Sequence, residues 1–167
     1  MQAFEYGDKQ LTRFVQEMYE KYPDSLFIIT GDHADRWTLY PNPSLYERLA
    51  VPVIILGQGI TKDMLPQKVS GAHQDIVPTI MELILPKGAP YYALGQDLLQ
   101  GGQPGLHAYY YITDDVLGEL GNENFEVLPG QTAPSKEELD SVHQRLQDEQ
   151  TIAVWRVMHG TELKEEK

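Results

Sequence analysis

Apolar positions along the chain keep two different rhythms. Leu11, Phe14, Val15, Met18, Tyr19 and Tyr22 recur at i, i+3, i+4 and i+7, the spacing of one buried stripe on an α-helix. Pro23 ends that helix, because the residue before a proline is pushed out of the helical region. Leu26-Phe27-Ile28-Ile29 is instead a short continuous apolar run, the pattern of a strand buried on both faces in a parallel sheet. It closes on Thr30-Gly31, and Asp32-His33 follow at once. A polar, aromatic loop then runs from Ala34 to about Arg48, with Pro41 and Pro43 blocking regular structure. Pro52 to Leu56 reads as a second buried strand, closed by Gly57 and Gly59.

Asp75 to Leu85 regains the helical rhythm, with Ile76, Ile80, Leu83 and Ile84 on one face. Pro78 falls in its first turn, where a missing N–H costs little. His107 to Ile112 and Phe125 to Leu128 predict two later strands, antiparallel near a sheet edge, joined by a connection bearing Gly and Asn. Ser135-Lys136-Glu137-Glu138 is a capping box. The helix it opens carries Leu139, Val142, Leu146, Ala153 and Val157 on one face. Glu162 to Lys167 is a charged, frayed tail, which leaves residues 1–160 as one domain. Alternating helices and buried strands predict an α/β layer structure.

Composition narrows the function. Acidic residues number 25 against 13 Lys plus Arg, a formal charge of −12. Phosphate neutralisation needs clustered Lys and Arg, so nucleic acid is excluded as a partner, as is docking of this segment on an anionic membrane. The absence of cysteine excludes a disulfide framework, a thiolate nucleophile and a thiolate zinc site. No apolar run approaches the roughly 18 residues of a spanning helix, and Glu5 and Asp8 stand where a signal peptide is apolar. The chain is expected to be soluble.

Asp32-His33 leads the candidates for chemistry. Ligands of open α/β sheets collect beyond the carboxyl ends of the strands. A carboxylate and an imidazole emerging there offer one oxygen and one nitrogen to a divalent ion such as Zn²⁺ or Mn²⁺. The alternative is an Asp capping the next turn beside a solvated His. His73 stands just before a helix N-terminus, where backbone N–H groups favour a phosphate or sulfate beside the imidazole; it serves equally well as a cap. Asp75 reads as a helix cap. Arg36 could pair with an anionic substrate, although Asp35 and Arg36 also read as loop-surface charges. Arg48 is expected to hold a buried carboxylate, and Asp63 and Asp97 to sit in turns. His107, His143 and His159 are expected to pack, and Tyr109, Tyr110 and Tyr111 to be strand core and edge. No Gly-x-Ser-x-Gly elbow or Walker loop is present, and no serine has an evident partner base.

Four segments in order carry a resemblance. LFIITGDHA (26–34) resembles the metal-binding Asp-His segment of the sulfatase and alkaline phosphatase superfamily. YERLAVPVIILGQGI (46–60) is similar to its following strand and turn, GAHQDIVPTIMELIL (71–85) to its Asp-x-x-Pro-Thr helix, and YALGQDLL (92–99) to its later Gly-x-x-Leu-Leu segment. The lipoteichoic acid synthase-like sulfatases, which transfer or hydrolyse phosphoglycerol groups, are the group it most resembles. Ala34 stands where that family usually has Gly.

The resemblance implies a three-layer αβα, alkaline phosphatase-like fold, of which this chain is the C-terminal portion, with a mostly parallel sheet and late edge strands. It implies Asp32 and His33 as ligands of a divalent metal (Mn²⁺, Zn²⁺ or Ca²⁺), His73 as a contact to substrate oxygens, and Asp75, Pro78 and Thr79 as structural. The Thr or Ser nucleophile and a further acidic ligand are expected before Met1, so no catalytic nucleophile is expected within the chain. The implied partners are that missing N-terminal part of the domain and a sulfate or phosphate ester. The implied location is the outer or periplasmic face of a membrane, anchored by an upstream segment. An exposed sheet edge would favour self-association. Two alternatives stand beside this reading. One is a stand-alone α/β binding or interaction module without catalysis. The other is a small metal-dependent hydrolase with Asp32, His33, His73 and Asp35 as ligands, activating a water in place of a protein nucleophile.

Overall fold

Residues Gln2–Lys21 form helix α1, as the apolar spacing predicts. Its outer surface is supported by i, i+4 ion pairs, Lys9–Glu5 at 2.7 Å and Arg13–Glu17 at 2.6 Å, each adding a few tenths of a kcal/mol by the usual measure (about 0.2–0.5). The computed structural model describes residues 2–34, 41–121 and 124–160. They divide into two compact units: Met1–Pro43 with Glu47–Met64, and Ser44–Tyr46 with Leu65–Lys167.

In the first unit the end of α1 meets strand β1 (Phe27–Thr30), with Tyr19 tilted on Phe27 at 4.9 Å between ring centroids. β1 pairs with β2 (Val53–Leu56), Phe27 opposite Leu56 and Thr30 opposite Val53. The pairing is antiparallel, which corrects the expected mostly parallel sheet: every strand pair among the described residues is antiparallel. A continuous apolar run reports burial, not strand direction. The connection between the two strands carries helix α2 (Leu45–Leu49). Burial is also less than the runs imply. Val53 and Ile54 are exposed, as are Phe4, Leu11 and Phe14 of α1, while Val15, Met18 and Tyr19 are half-buried.

The second unit holds a 3-10 turn (His73–Asp75) running into helix α3 (Ile76–Ile84), then a four-stranded sheet and helix α4 (Lys136–His159). The strands β3 (Gly105–Leu106), β4 (Tyr110–Ile112), β5 (Val116–Glu119) and β6 (Phe125–Val127) lie in sequence order. The two late strands are therefore present, but each pairs with β5, a strand lying where the sequence predicts only a connection. Its interior Gly118 hides the strand signal. Leu106, Tyr111, Val116 and Leu146 are the buried core, with Leu120, Phe125, Leu139 and Val142 packed against it. The capping box forms: Glu138 N–H donates to Ser135 Oγ at 3.2 Å, and Ser135 N–H to Glu138 Oε2 at 2.7 Å. Beyond Leu146 the predicted stripe is covered less, with Ala153 half-buried and Val157 87% exposed.

Gly118 lies under the Tyr111 ring, and a Cβ there would collide with the Tyr111 hydroxyl and ring edge. Tyr111 is 1% exposed, so its ring has no free space to enter. Gly118→Ala is expected to cost about 1–3 kcal/mol through overpacking, read as a fall in the thermal midpoint. An unchanged midpoint would show that the ring gives way.

Candidate functional site

Asp32 and His33 leave the carboxyl end of β1, where the sequence pattern places them. Asp32 keeps its one described backbone bond within the dipeptide. Its Oδ1 accepts the N–H of His33 at 3.0 Å, which folds the carboxylate back toward the imidazole. His33 Nδ1 donates to the Ala34 carbonyl at 2.6 Å. A carbonyl only accepts, so Nδ1 bears a proton in this contact, and in the neutral ring Nε2 is the acceptor nitrogen. Nε2 faces Asp32 Oδ2 at 3.7 Å, beyond hydrogen-bond length. With the ring neutral, two acceptors face one another across a gap that one divalent ion with donor distances of about 2.0–2.2 Å can bridge. A ligating histidine that gives its other N–H to a backbone carbonyl is the usual supporting arrangement at metal sites.

The donor pair fits a zinc- or manganese-class ion, but as part of a site. The Asp32 side chain is 91% exposed and that of His33 54%. No group of three or more His, Cys, Asp or Glu able to hold a metal occurs among the described residues. Asp35 and Arg36 lie outside the described residues. Ala34 adopts no positive φ, so glycine is not required there by the backbone.

His73 belongs to the second unit, whereas Asp32 and His33 belong to the first. It is exposed and opens the 3-10 turn before α3. Two residues on, Asp75 does not cap α3 with its side chain as expected. It is 1% exposed, and its carboxylate ties together two segments instead. Oδ2 accepts the N–H of Ala72 at 2.6 Å and Oδ1 that of Gln96 at 2.9 Å. Thr79 completes the tie: its hydroxyl donates to the Asp75 carbonyl at 2.7 Å and accepts Leu98 N–H at 2.9 Å. Gly95 has φ +88°, and a Cβ there would come within 2.6 Å of Asp75 Oδ1. The Asp-x-x-Pro-Thr and Gly-x-x-Leu-Leu segments, which the resemblance gives as separate motifs, are therefore two halves of one buried hydrogen-bonded joint. Burial pushes the Asp75 carboxyl up, against the lowering effect of the two N–H donors; Glu149 adds to the rise and Arg145 opposes it.

The remaining candidates pack or turn. Asp97 Oδ1 accepts Leu99 N–H at 2.9 Å, a turn role. His143 meets Tyr111 edge-on at 5.1 Å, His107 stacks on Tyr110, and His159 lies beside Trp155. Arg48 is exposed and makes no ion pair with a described residue, so it does not hold a buried carboxylate among them. The sequence reading missed Gln96. Its backbone N–H meets Asp75, and its side-chain amide donates to the Gln103 carbonyl at 2.9 Å and the Pro104 carbonyl at 3.2 Å. The one available signal was its place after a glycine held in a left-handed conformation.

No curated protein and no solved structure matches the chain significantly. The family model for Sulfatase matches residues 1–85, which include β1, the Asp32-His33 pair, β2 and the His73–Ile84 turn and helix. That span is half of the 167-residue chain, and it holds both the one paired carboxylate–imidazole gap described here and the buried Asp75 carboxylate: the chain belongs to the sulfatase family.

Proposed function

We propose that this chain supplies two metal ligands and a substrate contact to a metal-dependent sulfatase-family enzyme acting on sulfate or phosphate esters. The observation that carries the reading is the His33 Nε2–Asp32 Oδ2 gap of 3.7 Å, with Nδ1 already committed to a backbone carbonyl. Asp32 and His33 would hold the ion, and His73 would contact the ester oxygens. An Mn²⁺, Zn²⁺ or Ca²⁺ ion bound there supplies Lewis-acid stabilisation of the charge that develops on the transferred group. The Ala34 carbonyl orients the His33 ring and would leave its other nitrogen free to take the ion. The nucleophile, a Thr or Ser, belongs on this reading to a preceding part of the same three-layer αβα domain, outside the cell or in the periplasm. Within the family, phosphoglycerol transfer or hydrolysis of the lipoteichoic acid synthase type is the activity the four sequence segments favour.

The exposed apolar side chains of α1 and β2 support a partner of that kind. Phe4 (79% exposed), Leu11, Phe14, Val53 and Ile54 form the sort of surface that is buried in a complete domain. Joined to the preceding part of the domain, the chain is expected to lose binding of a hydrophobic dye; alone, it is expected to bind the dye and to self-associate on size exclusion. A dye-silent monomer would overturn this partner assignment and favour a stand-alone module.

Two exposed ligands make a weak site, because affinity follows ligand count and preorganisation. Titration with Mn²⁺, followed by paramagnetic broadening of the His33 ring resonances, is expected to show weak binding that Asp32→Ala abolishes. Broadening that persists unchanged in Asp32→Ala would remove Asp32 from the ligand set.

A further inference from the structure

We draw no further inference here: the strongest candidate, the groove of about 470 Å³ that Asp114 and Asp115 of the β4–β5 turn form with Glu137 and Glu138 of α4, is an acidic cluster at a helix N-terminus in which Asp114 already accepts Ser70 Oγ–H and Glu138 closes the Ser135 cap, and nothing else among the described residues points to a ligand for it.

Discussion

Asp75→Ala is expected to destabilise the second unit by about 1–4 kcal/mol, because it strands two half-buried N–H donors at once, each costing up to about 1–3 kcal/mol when fully cut off from water. Relief of the carboxylate's desolvation offsets part of that cost. Asp75→Asn should fall between the variant and the parent: its amide oxygen can satisfy one donor, while its NH₂ faces the other. Urea unfolding reads both as shifts in midpoint. Hydrogen exchange at Gln96 and Leu98 is expected to speed up before the rest of the unit, since those amides lose their acceptor or its support. The pH dependence has a definite sign. The folded-state pKa of Asp75 is raised above its ordinary 3.8, so the folded chain binds this proton more tightly than the unfolded chain. Its contribution to stability is fully present below the unfolded value and is lost as pH rises through the folded one. The parent should therefore gain on Asp75→Asn as pH falls through the carboxylate range. Equal midpoints for all three proteins would refute the role given to this side chain.

On the proposed function, a protein that joins this chain to a nucleophile-bearing partner segment is expected to lose about 10³-fold or more of its ester turnover on Asp32→Ala or His33→Ala. The estimate follows from the several kcal/mol that Lewis-acid stabilisation supplies, at about 1.4 kcal/mol per tenfold in rate. Chelation should have the same effect on the parent and add little to either variant. Ala34→Gly should leave turnover unchanged, because only the carbonyl of residue 34 is used. Full activity in Asp32→Ala under saturating substrate would remove the metal role from β1's end and leave the pair as a surface turn.

The elements that were legible in the sequence are those whose signal is local. α1 follows from an unbroken apolar period and a terminating proline, and α4 from a capping box whose two reciprocal bonds form as read. The Asp32-His33 pair follows from a strand ending in a polar dipeptide. What was not legible depends on residues far apart in the chain. Strand direction is set by how the connection returns, which an apolar run does not encode. β5 lies between the strands that were read, and its Gly118 is chosen by the Tyr111 ring above it, not by its own neighbours. Asp75 looks like any helix-start aspartate until Gln96, twenty-one positions on, is seen to donate to it. The Val157 end of α4 fails for the opposite reason: its period is right, but nothing described stands opposite it.

The bond from His33 Nδ1 to the Ala34 carbonyl bears on how such chains drift. The proton on the ring is placed by a main-chain atom that every amino acid supplies, at a position free of the left-handed backbone that would demand glycine. Side-chain change at this third place of the motif is thus invisible to the imidazole. Asp-His followed by almost any residue can keep the same tautomer, so a search pattern that insists on glycine there rejects a chain whose imidazole is held in the same way.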